Sequence, residues 1–163
     1  MEAYSVAVIT VSDRAFKGEY PDRSGPLAKS MWSEQGGRVV FDRIVPDDEG
    51  LIGDAIKSAV AARAQVVFTT GGTGVGPRDV TAEATSKLVD YELAGIAQAI
   101  RQRGQASVPT AIISRGIVGV LTVGGKRAVV INAAGSTGAV KDAIEVVAPL
   151  VPHIVDQLVG GDH

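Results

Sequence analysis

The sequence predicts a three-layer α/β fold of Rossmann-like type, with a mostly parallel central sheet, helices on both faces and a small hairpin. Three observations lead there. Apolar, β-branched runs of strand length, Tyr4 to Val11, Arg38 to Val45 and Gln65 to Phe68, alternate with segments of helical period. The segments between them are long enough for the crossover helices that parallel strands require. A polar or glycine-rich loop follows each run, at the carboxyl end of the strand, where sheets of this kind bind their ligands.

The first run, Tyr4 to Val11, is a buried strand, and the polar loop from Ser12 to Gly25 after it has the length of a functional or mobile loop. A helix is expected from Pro26 to Gln35, with Leu27 and Met31 facing the sheet and Trp32 beside them. The second strand, Arg38 to Val45, ends at Pro46-Asp-Asp-Glu49. A helix from Glu49 to Arg63 then carries Ile52, Ile56 and Val60 on one face. After the third strand and its loop, a helix is expected from Ala82 to Val89 and another from Leu93 to Arg103, ended by Gly104. Ser107 to Arg115 is ambiguous, with a short extended piece as one reading. Ile117 to Val123 and Arg127 to Ile131, joined through Gly124-Gly125, form a hairpin. The last helix carries Val140, Ile144, Val147, Val151, Ile154 and Leu158 as a core or interface stripe, and Pro149 and Pro152 should kink or split it.

The bulk composition narrows the function. Hydrophobic residues make up 45% against 21% charged over 163 residues, which describes a globular chain, read as one domain spanning 1–163. A net charge of −2 offers no basic face for nucleic acid. Without cysteine there is no disulfide, thiolate metal site or thiol nucleophile. No basic stretch precedes the first apolar run and no apolar stretch has membrane-spanning length, so the cytoplasm is the expected compartment and no membrane partner is expected. His153 lies in the terminal helix and His163 is the last residue, which argues against a Ser-His-Asp triad or a histidine metal centre.

The chemistry concentrates in Thr69 to Glu83, where Gly71, Gly72, Gly74 and Gly76 sit between a strand and a helix. Such glycines let the backbone turn and approach a ligand closely, and turn amides beside a helix start make an anion cradle. Arg78 and Asp79 place a cation and a carboxylate at its lip. The spacing matches neither G-x-G-x-x-G nor G-x-x-x-x-G-K-[ST], because Pro77 stands where a Gly or Lys is needed. Asp79 is equally readable as a helix cap, and Asp47, after Pro46, is more readily a cap than a ligand. Ser12 and Asp13 read as turn formers or ligands, Arg14 and Arg78 as solvated charges or phosphate partners, and Gly135 and Ser136 as a helix entry or a pocket wall. Carboxylates, hydroxyls and glycine amides together suit magnesium, which takes a few carboxylates and substrate phosphates as ligands.

Thr69-Thr-Gly-Gly-Thr-Gly followed by Arg78-Asp-Val-Thr81 and Glu83 resembles the MogA/MoaB family of molybdenum cofactor biosynthesis proteins. Val11-Ser-Asp-Arg14 with Gly18 and Asp22, Val45-Pro-Asp47, and Ser114-Arg115 leading to Gly135-Ser136 agree in the same order, so the resemblance runs from about Tyr4 to Leu158. It implies transfer of AMP from ATP to molybdopterin, with Asp47 and Asp79 as the catalytic, Mg²⁺-organising acids. It implies that Gly71, Gly72, Thr73 and Gly74 line a phosphate or pterin pocket, with Ser12, Asp13, Gly135 and Ser136 around it, and that Arg14 and Arg78 neutralise phosphate charge. A homotrimer and a molybdate-insertion partner are also implied. Two departures stand out: Ala134-Gly-Ser-Thr137 replaces a Pro-Gly-Ser-Pro-type turn, which should loosen that loop, and Tyr91 stands where arginine is common. They leave the MogA-type and MoaB-type subgroups open. The alternative is a non-catalytic molybdopterin carrier of the same fold. A nucleotide-binding oxidoreductase is a third reading, and it lacks the dinucleotide fingerprint.

Overall fold

The structure, a computed structural model, describes residues 3–161. Met1 and Glu2, at the start read for a signal, and His163 lie outside them. Strand β1 is Tyr4–Val11, followed by a four-residue helix α1 (Asp13–Phe16) and α2 (Ser24–Glu34). Then come β2 (Gly37–Val45), α3 (Glu49–Ala61), β3 (Val66–Thr70), α4 (Thr81–Ser86), β4 (Tyr91–Glu92) and α5 (Ala94–Gln105). A 3₁₀ segment (Pro109–Ile113) leads into β5 (Val118–Val123) and β6 (Lys126–Ala133), and the chain closes with α6 (Thr137–Val147) and α7 (Val151–Leu158).

All six strands form one sheet in the order β2-β1-β3-β6-β5-β4. The four strands from β2 to β6 run parallel, while β5 and β4 add an antiparallel edge. Side chains alternate across a strand, so each strand feeds two cores. Val6, Val8, Val66, Phe68 and Ile131 face α2, α5, α6 and α7, and Trp32 fills the centre of that layer edge-on to Tyr4 and Phe68, with ring centroids 6.2 and 5.8 Å away. Ala7, Ile9, Val67 and Val130 face α3 and α4, where Ile52, Ile56 and Val60 are fully buried. The three layers and the hydrophobic stripe of α3 therefore match the sequence reading.

Some boundaries differ, for identifiable reasons. On α2 it is Ala28 and Trp32 that are buried against the sheet, while Leu27 and Met31 pack partly buried at the margin of the same core. Gly104 does not end α5. It is buried inside the helix, where an added Cβ would lie 2.8 Å from the Cβ of Ala111, so this glycine serves close packing. The ambiguous 107–115 segment forms a 3₁₀ turn instead of an extended piece. Pro149 and Pro152 do split the last helix, at a short 3₁₀ turn over Ala148–Leu150. The Gly124-Gly125 connection has φ of +56° and +78°, the two-residue hairpin geometry that favours glycine. No helix among the described residues is long and apolar enough to cross a membrane.

Candidate functional site

Register brings the strand ends together. Val11 pairs with Val45, Thr10 with Thr70, and Thr70 with Ala133, so four adjacent parallel strands finish at one level. The loops that leave them begin at Ser12, Pro46, Gly71 and Ala134. Strand order reverses direction between β1 and β3, which is where an open parallel sheet presents a crevice. The β3 loop crosses the end of β1 there. Gly71 has φ +107°, and a Cβ on it would sit 2.1 Å from the Val11 carbonyl oxygen, so only glycine passes.

Asp47 and Asp13 hold each other across two of these loops. The Asp13 N–H donates to Asp47 Oδ2 at 3.0 Å, and the Asp47 N–H donates to Asp13 Oδ1 at 3.0 Å. Arg78, from the third loop, lays its fork on Asp13, with Nε 3.1 Å from Oδ2 and Nη2 3.0 Å from Oδ1. The Arg78 hydrogen bonds, and then the Asp47 N–H, hold the Asp13 carboxyl below its ordinary range. Asp47 shifts the other way. Burial pushes its carboxyl up, and the Asp13 N–H counters this only in part, since the charges of Asp13 and Asp79 push it up as well. Asp47 does not cap α3, because Asp48 does so by accepting from the Leu51 N–H at 2.9 Å.

Asp79 does not cap α4 either, since the cap position is Val80. Its Oδ2 instead accepts from the Gly76 N–H at 3.0 Å, and a Cβ at Gly74 or Gly76 would come within 2.9 or 2.8 Å of that oxygen. Gly72, at φ +71°, lies between the two acids' loops: a Cβ there would meet Thr81 Oγ1 at 2.3 Å and Asp47 Oδ1 at 3.2 Å. A second arginine secures this loop. Arg115 donates through Nε to the Gly74 carbonyl at 2.9 Å, through Nη2 to the Asp79 carbonyl at 3.0 Å, and through Nη1 to Glu83. The Arg115 N–H donates to the Thr73 carbonyl at 2.7 Å, and the Ser114 hydroxyl donates to Thr73 Oγ1 at 3.0 Å. The Arg115 bond keeps the Glu83 carboxyl below its ordinary value.

These loops border a cleft of about 1100 Å³. Asp47, Asp79, Ser12, Arg14, Gly71 to Gly74, Gly135 and Ser136 all line it. Asp13 and Arg78 are not among its lining residues and are occupied with one another. Ser12 caps α1 through the Ala15 N–H at 3.2 Å, and Ser136 caps α6 through the Ala139 N–H at 3.1 Å. Arg14 lies over the Tyr20 ring, 4.9 Å from its centroid. The Ala134–Thr137 turn is tied down without prolines: Thr70 Oγ1 donates to the Ala134 carbonyl at 3.0 Å and Ser24 Oγ to the Gly135 carbonyl at 2.6 Å. Local spacing assigns Ser114, Arg115 and Glu83 no role, which the fold alone supplies. The sequence reading also passed over Asn132, which ties β6 to Thr69 and Thr85 at 2.9 and 3.1 Å, and Ser24. Side-chain-to-carbonyl bonds between distant segments leave no mark in local spacing, and only the motif resemblance drew attention to Ser114-Arg115.

Asp22, Asp142 and Glu145 also line the cleft, but Asp47 and Asp79 are the carboxylates set against the glycine turn and are the candidates to hold a cation there. Among the described residues no group of three or more His, Cys, Asp or Glu side chains is placed to hold a metal ion. Two carboxylates beside an amide-lined loop suit a hard cation that keeps part of its water shell, as Mg²⁺ does.

The family model for a probable molybdopterin binding domain matches residues 7–153. A molybdopterin adenylyltransferase from Helicobacter pylori is 34% identical, over 98% of this chain and 90% of that protein. A molybdenum cofactor biosynthesis bifunctional protein from Synechococcus elongatus is 37% identical over 96% of this chain, which spans only 48% of that longer protein. Among solved structures, the tungsten cofactor synthesizing protein MoaB from Pyrococcus furiosus superposes with a TM-score of 0.90 at 35% identity, covering 97% of this chain and 98% of that one. With the fold, the loop order and the sequence in agreement over nearly its whole length, the chain belongs to the MogA/MoaB family of molybdopterin-binding domains.

Proposed function

We propose that this chain is a molybdopterin adenylyltransferase that moves AMP from ATP to molybdopterin with Mg²⁺. The observation that carries the proposal is that Asp47 and Asp79, from two different loops, line one cleft against the glycine turn. The names of the H. pylori and related proteins favour the same activity. In the reaction a terminal phosphate oxygen of molybdopterin bonds to the α-phosphorus of ATP, the bond from that phosphorus to the β-phosphate oxygen breaks, and pyrophosphate leaves with the electron pair.

Two anions must meet. At ~4 Å a pair of unit charges repels by about 4 kcal/mol at an effective dielectric of ~20. Mg²⁺ held by Asp47 and Asp79 would neutralise phosphate charge. The amides of Gly72 to Gly74 would donate to phosphate oxygens, with Gly71 shaping the turn while its own N–H goes to the Ala133 carbonyl; Ser12, Gly135 and Ser136 would add to the wall, and Arg14 would add positive charge. Burial, and after it the charges of Asp13 and Asp79, raise the Asp47 carboxyl above its ordinary value, a cost that a cation beside it would offset.

The carrier alternative needs no pair of acids in the cleft. Incubation with ATP, Mg²⁺ and molybdopterin, followed by a pyrophosphate assay, decides between them: steady release of pyrophosphate is expected, and tight molybdopterin binding without release would establish a carrier. The same reading includes a homotrimer, measurable by light scattering, a cytoplasmic location, and transfer of the product to a molybdate-insertion protein.

A further inference from the structure

We infer that Asp13 and Arg78 are positioning residues: they form a clasp that aims the Asp47 carboxylate into the cleft, and neither contacts substrate. The inference rests on the reading of Asp47 as a catalytic acid. It begins from connectivity. Asp13 lies 34 residues from Asp47 and 65 from Arg78, and its side chain joins the β1, β2 and β3 loops. Its Oδ1 receives both the Asp47 N–H and Arg78 Nη2, its Oδ2 receives Arg78 Nε, and its own N–H fixes Asp47 Oδ2. With one Asp47 oxygen held this way, the carboxylate can rotate little, and Oδ1 is left 3.2 Å from where a Cβ on Gly72 would stand.

Arg78 completes the arrangement. A planar fork grips a carboxylate in one orientation, which a point charge does not. Nε and Nη2 are both directed at Asp13, and the residue lies outside the cleft lining, so its geometry is that of a brace and not of a phosphate ligand. Arg78 is 68% exposed, and an exposed ion pair contributes little to overall stability. What the pair supplies is direction.

The test has an arm that does not depend on turnover. Amide exchange by NMR on the parent and on Arg78→Gln should show protection at the Asp13 and Asp47 N–H groups falling about tenfold, with β1 core amides unchanged. In the adenylylation assay, Arg78→Gln should lower kcat about tenfold with KM for ATP within twofold of the parent, and Arg78→Lys should recover part of the loss. Asp13→Asn combined with Arg78→Gln should fall no further than the worse single variant, where independent roles would multiply to about a hundredfold. Unchanged protection at both amides, a tenfold rise in KM for ATP at constant kcat, or a multiplicative double variant would each overturn the clasp. A parent that releases no pyrophosphate would defeat the catalytic reading, and the amide measurement would still decide the clasp.

Discussion

Each candidate acid accepts one main-chain N–H, and an arginine braces each loop by a different kind of contact. Asp47 accepts the Asp13 N–H and donates its own N–H to the Asp13 carboxylate, which the exposed Arg78 grips from outside the cleft. Asp79 is secured through the backbone: the Gly76 N–H binds its carboxylate, and Arg115 stitches the surrounding turn by its carbonyls. Behind the Asp47 contact stands an ion pair, Asp13 with Arg78, whereas behind the Asp79 contact stands an arginine bound to loop carbonyls. The first arrangement should be sensitive to charge and the second to backbone conformation.

The largest effect should come from the acids themselves. Asp47→Asn and Asp79→Asn keep the shape of each side chain and remove its charge, so each should lower turnover by at least about a thousandfold, on the order of 4 kcal/mol of barrier. Circular dichroism and molybdopterin binding should stay close to the parent. If either variant kept most of its turnover, the pairing of the two loops would lose its meaning. Gly72→Ala comes next, because it strikes the junction. Its φ of +71° and the approach to Thr81 Oγ1 should cost about 2 kcal/mol in urea unfolding, and displacement of Asp47 Oδ1 should reduce turnover along with stability.

Arg115→Met sharpens the contrast between the two arginines. It leaves the Gly74 and Asp79 carbonyls without their donors, at a cost of about 1–2 kcal/mol in thermal or urea unfolding. Arg78→Gln should stay below about 1 kcal/mol in the same measurement, since it breaks an exposed pair. The smallest effect is acid sensitivity. The Glu83 carboxyl titrates below its unfolded value, so its contribution is complete above that value and is lost as pH falls through the depressed one. Glu83→Gln should therefore flatten the acid limb of the stability curve slightly. An acid limb that instead steepened would contradict the sign.

Much of this architecture could be read from the chain, and the exceptions have physical reasons. The strands β1, β2 and β3 are apolar enough to show themselves, and β1 matches its expected range of Tyr4 to Val11. Strand β4 is two exposed residues at the sheet edge, Tyr91 and Glu92, too short for any periodicity to register. Helix α1 is four residues inside a polar loop with no buried face. In the site, Pro46-Asp47-Asp48 offers two acids for one cap, and local spacing cannot say that Asp48 takes it. The candidate residues were legible because glycines and acids gather at strand ends. The partnership of Asp13 with Arg78 was not, because each alone looks like a ligand and only the folded sheet brings them together.

The β3 and β6 loops meet backbone to backbone: a Cβ at Gly135 would lie 3.4 Å from the Gly71 Cα. At that one contact the cleft wall is therefore peptide, with no rotamers to freeze when an anion arrives. The entropy that long basic side chains would lose on ordering is absent from that contact. Selectivity there has to come from the shape of the groove and the direction of its dipoles, and a ligand too bulky for the groove meets a surface that cannot step aside.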